Sequence, residues 1–141
     1  MGHDASKVQM GNIASSAKEI VNYAGDPATF QAGLCVHLKS DGTLSLASAD
    51  GSKLGISVGR DLSNTKRTAI CVEGIDVPIQ VTNGFTPTVG AQVQISTTTG
   101  KAVTSGTAVN AFYKKVGLTG VSEDGTNLAD PVALIDLVGG L

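Results

Sequence analysis

The chain has 141 residues, with 10 Lys and Arg against 12 Asp and Glu and a formal charge of −2. A chain of this length is single-domain size and buries roughly two-thirds of its unfolded surface without help from disulfides or metal. Its charge excludes the clustered basic field that nucleic acid demands, and no run approaches the ~18 apolar residues of a membrane span.

In chain order, residues 1–26 differ in character from the remainder of the chain. They are polar, rich in Ala and Ser, and carry isolated apolar residues at Val8, Met10, Ile13, Ile20 and Val21 that fit no single period. Ser16-Ala17-Lys18-Glu19 has the form of a capping box, which predicts a short helix through Tyr23, but Gly25-Asp26-Pro27 ends it almost at once. The segment is therefore expected as an N-terminal arm, extended or partly helical, that orders on a partner. A first strand or helix packed on its own domain is the other reading. No apolar core of a signal peptide is present, so the product is expected to be made in a cytoplasm.

Residues 27–141 read as one all-β domain. Strands are expected at 33–39, 43–47, 54–59, 67–73, 75–82, 92–96, 101–104, 112–119 and 132–138, separated by turns of Gly, Ser, Thr, Asn and Asp, a spacing that suits a sandwich or barrel. Two stretches share one theme. In 32–46, Gly33 precedes the alternating Leu34, Val36 and Leu38, with Gly42 in the turn. In 89–103, Gly90 precedes Ala91, Val93 and Ile95, with Gly100 in the turn. The match continues at Leu54-Gly55-Ile56 against Val116-Gly117-Leu118. The domain is thus two loosely related β units, about 30–82 and 83–138. Pro78 cannot donate to a ladder, so its strand is expected at an edge or bulged, which makes Asp76, Val77, Pro78 and Ile79 candidates for pairing with another chain.

Little in the chain suggests chemistry. Cys35 and His37 share a strand face, as alternate residues must, but a Cys-His dyad also needs an orienting third group, and this spacing arises often by chance. Cys35, His37 and Cys71 lack the paired close spacing of metal ligands. The two cysteines read as buried free thiols, with a disulfide between neighbouring strands left open. The acidic residues form no calcium loop or carboxylate pair, and Leu54-Gly55-Ile56-Ser57-Val58-Gly59 is no phosphate cradle. Three Phe and two Tyr, with no Trp, are too few for a sugar- or base-stacking platform. The expectation is no catalytic residue, no metal and no cofactor.

The run from Gly33 through Val36, Gly42 and Gly55-Ile56, repeated as Gly90, Val93, Gly100 and Gly117-Leu118, resembles the small capsid decoration, or cement, proteins of tailed bacteriophages. The likeness covers residues 30–138. It implies a small β-barrel or β-tulip body that associates in threes, a homotrimer on the outer capsid surface of the virion. It also implies an N-terminal arm reaching neighbouring subunits of the major capsid protein; residues 1–26 carry no motif of the family, and their apolar Val8, Met10, Ile13, Ile20 and Val21 are the candidate contacts. A decoration protein stabilises a shell by binding the assembled state. The alternatives are another β-rich virion component such as a tail-tube protein, or a small ligand- or carbohydrate-binding β-barrel; an enzyme comes last.

Overall fold

The computed structural model describes residues 6–10, 17–24, 29–47, 51–61, 64–122 and 125–138, with side chains left undescribed at 17–24, 59–61 and 64–66. The described residues form nine strands: β1 (Lys7–Gln9), β2 (Ala17–Ala24), β3 (Cys35–Lys39), β4 (Leu44–Ser45), β5 (Gly51–Asp61), β6 (Asn64–Gln80), β7 (Gln92–Ile95), β8 (Thr107–Val121) and β9 (Asn127–Leu137). No helix occurs among the described residues, and the protein is all-β.

These strands join one sheet in the order β1-β8-β9-β6-β5-β3-β4, with β2 added on β6 and β7 on β8. Among the described strands, only β1 and β8 run parallel to each other. The sheet does not close into the expected barrel, because its ladders end at β1 and β4 without meeting. It curls instead, and the segment after β7 bridges part of the gap. The Cys35 N–H donates to the Gly100 carbonyl at 2.8 Å, the Ala102 N–H to Gln80 at 2.9 Å, and the Ser96 N–H to Lys101 at 2.8 Å. The strand expected at 101–104 is therefore reduced to single bridges at Ala102.

The ladders form two meanders, called here the first and second units. In the first, β3 pairs with β5 and β5 with β6; in the second, β7 pairs with β8 and β8 with β9. β6 and β9 then pair with each other and join the units. Gly33 (φ 89°) and Gly90 (φ 88°) lead into β3 and β7 with nearly the same left-handed backbone, a conformation that residues with a Cβ seldom adopt.

Alternation explains the second unit. Along β8, Val109, Ala111 and Tyr113 are buried while Ala108, Asn110, Phe112 and Lys114 are exposed, as expected for a strand with one face on the core. The first unit does not alternate. Cys35, Val36 and His37 are all buried, as are Ile56, Ser57 and Val58, and Ala69, Ile70 and Cys71. These strands are covered on both faces, so their sequences read as nearly continuous apolar runs. One face carries the main core, which holds Cys35, Ile56, Cys71, Ile79, Val93 and Ile135. On the other, Phe30, Val36, Leu44 and Ile70 form a second cluster with Leu38, Leu46, Leu54 and Val72 against it. Two of the buried polar side chains bond to the backbone of the segment before β3: the Ser57 hydroxyl donates to Phe30 O at 2.8 Å and Gln80 Nε2 to Ala32 O at 2.9 Å.

The strands expected at 67–73 and 75–82 are one strand. β6 runs through Gly74 with a register shift against β9 between Gly74 and Val77, and Asp76 takes a left-handed φ of 57° there. This bulge lets one long strand serve both units. The segment of Asp76, Val77, Pro78 and Ile79 is bulged, one of the two settings expected for its proline, and Val77, Pro78 and Ile79 pair along one side with Ile135, Leu134 and Ala133 of β9. The Val81 N–H points to β9 (Pro131 O, 2.8 Å) and the Gln80 N–H away from it (Gly33 O, 2.8 Å). Alternation then directs the nitrogen of Pro78 away from β9, so the ladder loses no donor there.

Residues 1–26 are not a separate arm where they are described. β1 lies against β8 through Lys7↔Thr119, Val8↔Gly120 and Gln9↔Val121, and β2 lies against β6 from Ala17↔Gly74 to Ala24↔Arg67. The helix suggested by Ser16-Ala17-Lys18-Glu19 is overturned, because the backbone of 17–24 is committed to a ladder with β6. Ile13 lies outside the described residues.

Candidate functional site

Three places merit weight: the Cys35–His37 pair, the docked N-terminal strand, and the open face of the second unit. At the first, Cys35 and His37 are both fully enclosed by the fold, and a register shift against β5 falls between Val36 and His37. Burial pushes the Cys35 thiol up to about 12, only partly opposed by the charge of Lys53. Thiolate is the nucleophilic form, so Cys35 stays protonated and inert at neutral pH. The disulfide is excluded as well. Cys35 and Cys71 both pair with Ile56, one on each side of β5. Two strand spacings of about 4.8 Å each separate them, beyond the Cα distance of about 7 Å that a disulfide spans. Both are free thiols. Among the described residues no three His, Cys, Asp or Glu side chains gather into a metal site.

The second place is β1. Beyond the ladder, the Met10 N–H donates to Val121 O at 2.7 Å and the Thr119 N–H to Ser6 O at 2.7 Å. The Gln9 carboxamide donates to Val121 O at 3.2 Å and to Ser122 O at 3.1 Å. Met10 is only 4% exposed and fills a slot between two glycines. A Cβ at Gly33 would stand 2.7 Å from Met10 Cε, and one at Gly120 would stand 3.2 Å from Met10 Cγ. Met10 is therefore packed against the body of its own chain, and Val8 is half-buried beside it. Burying the Met10 side chain stabilises this docking by about 2 kcal/mol, and each backbone bond adds about 1 kcal/mol. Fixing the backbone costs about 1–2 kcal/mol per residue, so over residues 6–10 the docked state is close to balance. Ile20 and Val21 pair through the backbone with Cys71 and Ile70.

The third place is the outward face of β7, β8 and β9. Phe112 stands between Gln92 on β7 and Asp136 on β9, its neighbours in register, and is 41% exposed. Val138 beyond β9 is 52% exposed and Ile75 in the β6 bulge 43%. Polar groups organise this surface. Lys114 Nζ lies 3.1 Å from Asp76 Oδ1 and 3.8 Å from Asp136 Oδ1, and the Asp76 N–H donates to Asp136 Oδ1 at 3.3 Å. Asn110 Nδ2 donates to Val138 O at 2.6 Å. The left-handed Asp76 is thus held by two partners, and the bulge that carries it turns Ile75 outward. Bulges often re-aim side chains at functional places.

Of the residues expected at a contact, the structure brings Asp76 to this face and places Val77 and Ile79 in the core. Phe112, Val138 and Ile75 were missed by sequence reasoning, although the exposed phase of the alternation at Asn110, Phe112 and Lys114 was a usable signal.

No protein-family model matches the chain, and neither a curated protein nor a solved structure matches it.

Proposed function

We propose that the protein is a structural virion protein that binds the outer surface of an assembled tailed-phage capsid and stabilises it by bridging neighbouring subunits of the major capsid protein. The resemblance of residues 30–138 to decoration proteins is the starting point. The observation that carries the reading is the exposed apolar group of Phe112 and Val138, bordered by Ile75 and set around the Lys114–Asp76–Asp136 ion group. Large apolar side chains presented together on a sheet face mark an interaction surface. Phe112, central and aromatic, is the residue type that anchors protein contacts.

In this proposal the attachment surface is the sheet face, and the homotrimer of the decoration family is its natural assembly on the shell. The test is co-sedimentation with undecorated heads of the parent virus, followed by shell stability to heat, for the native chain and Phe112→Asp. Saturable binding that raises shell stability, lost at least tenfold in Phe112→Asp with the fold intact, is the expected result. No binding of the native chain to heads overturns the proposal. Self-assembly into stacked rings without coat protein would point to a tail tube, and saturable uptake of a soluble sugar to the ligand-binding alternative.

A further inference from the structure

We infer that residues 6–10 are an exchangeable strap, and that the slot between Gly33 and Gly120 on one copy of this chain accepts Met10 and β1 of a second copy. The complementarity of the slot to this segment is already on display within a single chain. Met10 fits where a Cβ on either glycine would collide with it, the Met10 and Ser6 backbones bond to Val121 and Thr119, and Gln9 caps the carbonyls of Val121 and Ser122. Every one of these contacts is made by residues 6–10, so an identical segment from a neighbour reproduces them all. Exchange of an identical element costs only the difference between the two connections.

Three further observations favour exchange over permanent docking. β1 is only three residues long and lies at the end of the strand order, so among the described residues nothing pairs along its far edge. Its gains and its ordering cost nearly cancel, which places it at the low-stability end of the fold. Its pairing is also the only parallel one between described strands, and β1 adds to the β8 edge from a distant part of the chain. The connection sets a reach. From Met10 to Ala17 an extended chain spans roughly 25 Å, so the accepting copy must place its Val121 within that distance of the donor's β2. The inference concerns copies of this chain alone and does not depend on a capsid role.

Site-directed cross-linking tests it. One chain carries Lys7→Cys and another Thr119→Cys, two positions that face each other in register, while Cys35 and Cys71 are buried. The two purified chains are mixed and mildly oxidised. A covalent heterodimer is expected at a yield at least tenfold above that of a control mixture of Lys7→Cys with Lys115→Cys. The same chain carrying both Lys7→Cys and Thr119→Cys should shift from an internal bond at low concentration to linked multimers at high concentration. A mixture that never exceeds the control, with the double variant closing only on itself, overturns exchange. Failure of both pairs to link overturns the slot itself.

Discussion

The two β units begin from the same sequence theme and end with opposite outer faces. In the first unit the back of β3, β5 and β6 is roofed by Phe30, Val36, Leu44 and Ile70 with Leu38, Leu46, Leu54 and Val72. In the second the back of β7, β8 and β9 is bare and shows Phe112, Asn110 and Lys114. What separates them is the occupant of the outward positions. Where Val36 and Leu38 supply apolar side chains, a roof of further apolar residues is recruited; where Asn110 and Lys114 stand, none is. One meander thus builds a second core on its back, and the other leaves its back as a surface.

Gly55 and Ile56 are where the two units should differ most in their response to mutation. Ile56 is fully buried on β5 between Cys35 and Cys71, and Ile56→Ala should cost about 3–4 kcal/mol in urea unfolding. Gly55→Ala should be comparably damaging, since its Cβ would lie 2.4 Å from the Cys71 carbonyl oxygen. Gly117, its counterpart in the second unit, meets nothing within 4 Å and owes its identity to a φ of +71°. Gly117→Ala should therefore cost only about 1 kcal/mol. Equal losses at the two glycines would show that the units are not distinguished by packing in this way.

Alkaline titration probes both units at once, at Cys35 on β3 of the first and Tyr113 on β8 of the second. Burial raises Cys35 from 9.0 and Tyr113 from 10.0, each to about 12. Both groups hold their protons more tightly folded than unfolded. Their contribution is therefore complete below pH 9 and is lost as pH climbs toward 12. Unfolding midpoints measured at pH 8.5 and 10.5 should fall, and the fall should be smaller in Cys35→Ala; a flat profile would refute the burial argument. The smallest effect is expected at Lys114→Ala. Its ion pairs are half-exposed, so stability should change by less than about 0.5 kcal/mol. A larger loss would mean that Lys114 braces the left-handed Asp76.

Much of the fold was legible wherever a local pattern decided the outcome. The alternation at 92–96 and 112–119 located β7 and β8, and Gly33 and Gly90 stand with matching left-handed φ just before β3 and β7. The departures lie where the deciding partner is distant in sequence. β1 and β2 have no period of their own because each is defined by the strand that it joins, so Val8, Met10, Ile20 and Val21 looked like a free arm. β6 looked like two strands because Gly74 imitates a turn, whereas in the fold it pairs with both Ala17 and Leu137. The outward face was half legible: Asp76 drew notice through its proline neighbour, but nothing short-range tied Phe112 to Ile75.

The pairing of β1 with β8 also fixes an order of events during synthesis. Gln9 and Val121 stand 112 positions apart, so β1 is synthesised long before its partner exists. Contacts closed over such long loops form late, because the entropy of closure precedes the reward. The second meander can zip from its own neighbours while β1 still lacks a partner. The ladder between β1 and β8 is thus expected to close after the meanders beside it.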